Sequence, residues 1–253
     1  MLAAVILAAW LASLAWLVRR ELGPGVERAA AVARRVPPSA SFYSVELGGR
    51  RVGLASTTVD TTATGLHLVT RLLPFATDPA YARALAVFAE LALDEAFDVD
   101  RFVLRAGTRL EGPVLAGRFA GDSALVLELP GRARPHREPL AGRRPMLPVS
   151  LPLQLTFAPR RDDPARLAVF DPLGLAWDST LVEPGGDAVF VVPDRAAYDS
   201  VADRWVPAHA DTVRARRVDL RMRGVPVALW IDAQGRLVAQ STPLGVQLRR
   251  TEF

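Results

Sequence analysis

The chain has 253 residues, of which 50% are hydrophobic and 23% are charged, a composition that supports a large packed core and excludes wholesale disorder. It contains no Cys, which excludes disulfides, thiolate metal sites and a Cys nucleophile. It also contains no Lys, so the net charge of +4 rests on Arg. An Arg-only cation set fits a GC-rich genome better than a nucleic-acid surface.

The N-terminal stretch Leu2–Val18 is apolar except for Ser13, and it predicts a single transmembrane anchor over residues 1–20. At about 1.5 Å per residue the run measures roughly 25 Å, the short end of what spans a bilayer. A cleaved signal peptide is the alternative. It would need a basic region before the run and a small-residue cleavage site close behind it, and the sequence shows neither.

The orientation of the anchor rests on two conflicting indications. Arg19 and Arg20 directly follow the apolar run, and the positive-inside rule would then place the body of the chain in the cytoplasm. The body itself has the pattern of an envelope domain. We therefore expect a single-pass inner-membrane protein with a periplasmic body, against the indication of the two arginines.

Residues 21–40 are predicted to be a helical and proline-rich spacer. Glu21–Arg35 carries apolar side chains at helical spacing, and Pro37 and Pro38 end the helix. Residues 41–253 then form one β-domain. Its first hairpin is Ser41–Leu47 and Arg50–Val59, joined at a Gly-Gly turn.

The meander continues with a third strand at Leu66–Leu73, a short helix at Ala80–Phe88 and a turn at Asp98–Asp100. Turns recur about every ten residues, which is typical of an all-β domain. Four acids, Asp94, Glu95, Asp98 and Asp100, lie close together. They lack the central Gly and the terminal Glu of a calcium loop, so we interpret them as a solvated turn.

Residues 130–164 interrupt the strands and are predicted to be a crossing segment or lid. The segment is rich in Pro and Arg, and it contains one apolar stretch, Met146–Phe157. It divides the body into two strand groups that we expect to share one sheet. Its arginines are candidates for binding anionic lipid headgroups, with a solvated loop as the alternative interpretation: Arg132, Arg134, Arg137, Arg143 and Arg144.

The second strand group begins at Leu167–Phe170 and includes Ala188–Val192. Asp194–His209 has weak helical spacing and is predicted to be a helix. The C-terminal run pairs Val227–Ile231 with Arg236–Ser241 around the tight turn Asp232–Gly235, where Gly supplies a positive φ.

Three short stretches carry a family resemblance: Phe42–Gly53, Val169–Pro172 and Trp230–Leu237. In strand and turn pattern they resemble the domain that precedes the catalytic module of membrane-tethered bacterial transglutaminase-like proteins. That domain is similar to the lipoprotein-carrier fold. The resemblance implies a curved antiparallel sheet, a half-barrel with one or two short helices, that is extracytoplasmic and non-catalytic. The transglutaminase module itself has no counterpart, and the chain has no Cys to serve as its nucleophile.

No catalytic, cofactor or metal site is predicted. The three His residues are far apart in the sequence, and a G-x-S-x-G motif is absent. We expect a protein that binds a lipid or acyl chain, or a protein partner, and no nucleic acid. The alternative is an accessory subunit for a separately encoded transglutaminase-like or peptidase enzyme. Five aromatic residues are the candidate ligand-binding set: Phe97, Phe102, Phe119, Phe170 and Trp230.

Overall fold

The computed structural model describes residues 31–75, 86–107, 114–140, 146–157, 166–172, 174–201 and 203–251. The predicted anchor, residues 1–20, lies outside these ranges. Within them, no helix combines the length and the apolar character needed to cross a membrane.

The described strands form one 14-stranded antiparallel sheet. The first eight are β1 (Ser39–Leu47), β2 (Arg50–Thr62), β3 (Gly65–Pro74), β4 (Ala86–Leu93), β5 (Val99–Gly107), β6 (Val114–Ala120), β7 (Ala124–Glu128) and β8 (His136–Pro139). The last six are β9 (Arg166–Asp171), β10 (Ala176–Asp199), β11 (Arg204–Met222), β12 (Val225–Asp232), β13 (Leu237–Ser241) and β14 (Val246–Thr251).

The two strand groups share this sheet because the first strand pairs with the last. β1 lies antiparallel to β14, with Tyr43 opposite Arg250 and Val45 opposite Leu248. The strand order is therefore β8 to β1, then β14 to β9. The prediction of one shared sheet is confirmed. The segment predicted to interrupt the strands, residues 130–164, itself contains the edge strand β8 and leads to the other edge strand, β9.

The sheet is strongly curved. Phe102 on β5 and Phe170 on β9 belong to distant strands in the sheet order, yet their ring centroids are 6.2 Å apart. Both side chains are buried in the same core cluster. A flat sheet would separate them by many strand spacings of about 4.8 Å each, so the two ends must curl toward each other over one concave face. The prediction of a curved antiparallel sheet is confirmed.

Two helical pieces occupy the concave face. Residues 31–35 end a helix whose Val32, together with the following Val36, is buried in the main core cluster. In the crossing segment, a 3-10 helix at Pro148–Ser150 leads directly into α1, Leu151–Phe157. Leu153 belongs to the cluster that contains β2 to β7, whereas Leu151 belongs to the cluster around β11 and β12. Helix α1 therefore packs between the two halves of the sheet.

The predicted helix at Asp194–His209 is wrong. The segment belongs to a long hairpin in which Tyr198 pairs with Trp205 and Ala197 with Val206. The small and polar residues of this segment fit the period of a helix as well as that of a strand. Upstream, exposed Val189 and Val191 alternate with more buried neighbours, and the strand that they belong to continues through the segment. Pairing with the opposite strand of the hairpin makes the segment a strand, and the local spacing of residues does not encode that pairing.

Two smaller predictions in the first strand group also change. Residues 86–88, the end of the predicted helix Ala80–Phe88, belong to β4, and the rest of that helix lies outside the described residues. The turn predicted at Asp98–Asp100 instead runs from Asp94 to Asp98, because Asp94 Oδ1 accepts hydrogen bonds from the N–H groups of Ala96 and Asp98. The side chain closes this loop as an Asx turn.

Candidate functional site

A cavity of about 200 Å³ lies between the concave face and the crossing segment. Its floor comes from β1, β2 and β3 on one side and from β12, β13 and β14 on the other. Residues 148–157, which we call the roof, cover it. Pro148, Val149, Pro152 and Leu153 are the roof residues that line the cavity.

The roof is fixed to the sheet by a buried glutamine. Gln154 is 3% exposed; its Oε1 accepts a hydrogen bond from Ser150 Oγ at 2.6 Å, and its Nε2 donates to the carbonyl of Phe97 at 2.7 Å. Phe97 has a φ of 66°, a left-handed conformation that is costly for an aromatic residue. Its ring stacks on Phe157 with centroids 5.6 Å apart. These contacts hold the roof on the turn between β4 and β5.

Helix α1 of the roof also rests on the β12–β13 turn. Gly235 has a φ of +72°, and a Cβ placed on it would lie 2.7 Å from the Phe157 ring and 3.0 Å from Leu153. Glycine is required here both for the backbone conformation and for the close approach of α1. The turn that the sequence predicts as a simple hairpin connection therefore also supports the roof.

The cavity floor is apolar with one polar row. Leu68 and Leu229, 1% and 4% exposed, are among its apolar residues. Across them runs a row of hydroxyls, in which Ser41 pairs with Thr57 and Thr57 pairs with Thr70 on successive strands. The Thr57 and Thr70 hydroxyl oxygens lie 3.1 Å apart. The floor can therefore contact an aliphatic chain and also offer hydrogen bonds.

Charge is concentrated at one point beside the cavity. Asp232 Oδ2 accepts a hydrogen bond from Arg236 Nε at 2.8 Å and from Arg250 Nη1 at 2.9 Å. Its Oδ1 accepts from the backbone N–H groups of Gln234 and Arg236, both at 2.9 Å. Of these residues, Arg236 lines the cavity, and its side chain is 28% exposed.

Tyr43 joins this polar group to the hydroxyl row. The side chain lines the cavity, is hydrogen-bonded to Ser41, and feels the charges of Arg250, Asp232 and Arg236. Burial of the phenol disfavours its ionised form and raises the pKa of Tyr43 to about 12, despite the opposing hydrogen bond from Ser41. The phenol is therefore neutral at physiological pH.

A second, smaller cavity of about 100 Å³ lies on the other side of Pro148 and Val149. Both residues line both cavities, so the start of the roof separates them. Phe102 and Leu104 of β5 are among its mostly apolar walls. The concave face thus holds two adjoining spaces divided by a short piece of the crossing segment.

The structure places four of the five predicted ligand-binding aromatics in one core cluster and the fifth, Trp230, in another. Phe97, Phe119 and Phe170 are 1%, 6% and 1% exposed and fill the core, and Phe102 lines the smaller cavity. Trp230 lies on the opposite face of β12 from Leu229 and packs edge-on against Phe190 with centroids 5.9 Å apart. Alternation along a strand assigns residues to two faces, but the sequence alone does not say which face is concave.

The three predicted headgroup arginines that the structure describes do not line the cavity. Arg132, Arg134 and Arg137 are exposed on and before the edge strand β8, and Arg143 and Arg144 lie outside the described residues. The residues that form the cavity were missed, Tyr43, Arg236 and the roof among them. The in-register Ser and Thr residues of the first hairpins were an available signal.

The remaining titratable side chains show no catalytic arrangement in the described part of the chain. Each His pairs with one carboxylate at or near the surface: His67 with Glu90 at 2.9 Å, His136 with Glu138 at 3.0 Å and His209 with Asp194 at 2.6 Å. The described residues contain no group of three or more side chains suited to a metal ion.

Comparison with known proteins adds no assignment, since no family model, no curated protein and no solved structure matches the chain.

Proposed function

We propose that the protein is a non-catalytic binding protein that holds an apolar chain, such as an acyl chain, beneath the roof. The observation that carries this proposal is the cavity of about 200 Å³ between an apolar sheet face and a separate covering segment. Dry apolar cavities of about 150 Å³ bind a ligand as large as benzene, whereas typical drug-sized sites measure about 300–1,000 Å³. The cavity therefore suits one short chain.

A longer chain has an available path. The second cavity lies directly beyond Pro148 and Val149, so a small displacement of these two residues would join the two spaces. Neither residue belongs to the hydrogen-bonded anchor at Gln154. Such a shift would have to bend the 3-10 turn in which the N–H and hydroxyl of Ser150 bond to the Leu147 carbonyl, so a longer chain enters with a local rearrangement of this turn.

The cellular setting is part of the same proposal. The apolar run Leu2–Val18 and the resemblance to a membrane-tethered envelope domain support a protein anchored in the inner membrane with a periplasmic body. A reporter fused after Phe253 tests this topology. Activity of a reporter that works only in the periplasm is the expected result, and activity of a cytoplasm-only reporter would contradict the proposed location.

Binding is tested on the full chain, purified in digitonin, a detergent without an acyl chain. We expect native mass spectrometry to show a co-purifying acyl-bearing molecule. Val149→Trp places a large ring at the roof and should abolish that adduct. Val189→Trp is the matched control, because Val189 is 65% exposed on β10, outside the cavity lining, and the adduct should persist. An adduct that survives in both variants, or is absent from the wild type, would contradict the proposal.

A protein partner is the second candidate function, and the β10–β11 hairpin favours it. β9 pairs with β10 only over residues 176–181, and β12 pairs with β11 only over residues 215–222. The rest of the hairpin, which we call the arm, has no further strand partner among the described residues, although Phe190 and Val192 pack against Trp230 and Val238. On it Val189 and Val191 are 65% and 74% exposed. Exposed apolar strand surface with free edges is a common site of strand addition by a partner.

This second candidate corresponds to an accessory subunit that works with a separately encoded transglutaminase-like or peptidase enzyme. Its test is a pull-down from the native host with the wild type and with Val189→Asp/Val191→Asp. Recovery of such an enzyme by the wild type alone would support it. Recovery of no enzyme, or equal recovery by both proteins, would contradict it.

A further inference from the structure

We infer that the ligand of the cavity is an anionic amphiphile whose carboxylate or phosphate group binds at Arg236, next to Tyr43 and Ser41. This inference rests on the proposed function and specifies the chemical class of its ligand. Arg236 lines the cavity, as do Tyr43 and Ser41. Ser41 and Tyr43 come from β1 and Arg236 from the turn between β12 and β13, and the β1–β14 pairing joins these two parts of the sheet.

The local charge balance favours an anion. Arg236 is the formally charged residue in a cavity lining that is otherwise neutral among the described residues. Behind it, one carboxylate, Asp232, serves two guanidinium groups, those of Arg236 and Arg250. Tyr43 adds no negative charge to the lining, because its phenol is protonated.

The hydrogen-bonding geometry leaves a place for the anion. Asp232 engages the Nε atom of Arg236, and no described residue accepts a hydrogen bond from the terminal Nη atoms of that side chain. A guanidinium held through Nε on one side still presents donors that match a carboxylate or phosphate. The hydroxyls of Tyr43 and Ser41 lie on the same face of β1, and the Tyr43 O–H can donate to the anion while the Tyr43 oxygen accepts from Ser41.

Desolvation increases the discrimination between ligand charges. The Arg236 side chain is only 28% exposed, and its neighbours Asp232 and Arg250 are each 5% exposed. A cationic ligand would place a second positive charge beside Arg236 in a poorly hydrated site, whereas an anion would be attracted to the Arg236 guanidinium group. The apolar floor at Leu68 and Leu229 then accommodates the tail of the same molecule.

The test compares three ligands that share one tail. Octanoate, octanol and octylamine are titrated calorimetrically into the full chain in digitonin. Because a hydrogen bond to a charged group strengthens binding more than a neutral one, octanoate should bind at least about tenfold tighter than octanol, with octylamine weakest. Equal or tighter binding of octanol would overturn the inference. Binding of none of the three would instead overturn the proposed function.

Substitutions of single arginines test whether Arg236 causes the preference for octanoate over octanol. Arg236→Gln should bring the ratio of octanoate to octanol affinity to about one while leaving octanol binding within about threefold, since each tenfold corresponds to 1.4 kcal/mol. Arg249→Gln is the matched control, because Arg249 is an exposed arginine on the opposite face of β14 and should keep the preference. A preference that survives Arg236→Gln would overturn the site. If that variant does not fold, Arg236→Lys keeps the charge, and a reduced but persistent preference is expected.

Discussion

Arg250 Nη1 donates to Asp232 Oδ2 at 2.9 Å, and each of the two side chains is only 5% exposed. Arg250 comes from the last described strand, and Asp232 from the end of β12. The same carboxylate also binds Arg236. This pairing ties the C-terminal strand to the turn on which the roof rests, and it positions Arg236, the charged residue among the described residues that line the cavity.

Replacing Asp232 is therefore expected to be costly. Asp232→Asn leaves two nearby guanidinium groups without their carboxylate, and breaking a buried pair in this way costs about 3–5 kcal/mol. The free energy of unfolding from urea titration measures the loss. The control is Asp187→Asn, which breaks the exposed pair with Arg214 on the arm and should cost less than about 1 kcal/mol. Equal losses in the two variants would contradict the structural role of Asp232.

Tyr43 gives a pH dependence of defined sign. Its pKa is raised from 10.0 to about 12 in the folded protein, so the unfolded chain loses this proton first as the pH rises. The stabilisation is complete below pH 10.0 and is lost progressively up to about pH 12, by roughly 3 kcal/mol. Unfolding free energies measured across this window for the wild type and Tyr43→Phe isolate the contribution. Parallel curves for the two proteins would show that Tyr43 titrates normally.

Alanine substitutions at Gly235 and at a control glycine separate the cost of backbone strain from the cost of contact with the roof. Gly235→Ala introduces both a left-handed alanine and a Cβ within 2.7 Å of the Phe157 ring. Gly224→Ala is the control, since Gly224 has a φ of +78° and open space around its Cβ position. Overpacking typically costs about 1–3 kcal/mol, so Gly235→Ala should destabilise the protein by that amount more than Gly224→Ala. The same loss in both variants would mean that the roof does not rest on this turn.

Gln154 should control the mobility of the roof. Gln154→Met removes the hydrogen bond to the Phe97 carbonyl and leaves a buried acceptor unpaired, which costs about 1–3 kcal/mol. Faster amide hydrogen exchange should appear in α1, together with faster entry of octanoate. Thr156→Ala is the control, because the Thr156 hydroxyl bonds only within α1, to the carbonyl of Pro152. Unchanged exchange in α1 of Gln154→Met would contradict the anchoring role.

The sequence predicts the first and last hairpins of the sheet well because their turns are local, whereas the expectation of curvature came from the resemblance. The hairpin around Gly48 and the turn at Asp232–Gly235 each depend on a few neighbouring residues. The crossing segment is also recognisable from its composition. The helix predicted at Asp194–His209 fails because pairing across a long hairpin outweighs weak local spacing.

The cavity could not be predicted from the sequence because it depends on contacts between distant strands. Tyr43 and Arg250 are adjacent only through the β1–β14 pairing, and Gln154 reaches Phe97 across 57 positions. The choice of aromatics as ligand contacts follows size and apolarity, which favour full burial over lining a cavity. The residues at the cavity are instead of mixed polarity, as in Ser41 and Leu229.

The most direct test is photo-crosslinking of the full chain with an octanoate analogue that carries a diazirine on its tail, followed by peptide mapping. We expect labelling at the cavity, on peptides that contain Leu68, Leu153 or Leu229, and loss of that labelling in Val149→Trp. Labelling confined to the arm at Val189 and Val191, or to the opposite face at Trp230, and unchanged by Val149→Trp, would contradict ligand binding beneath the roof.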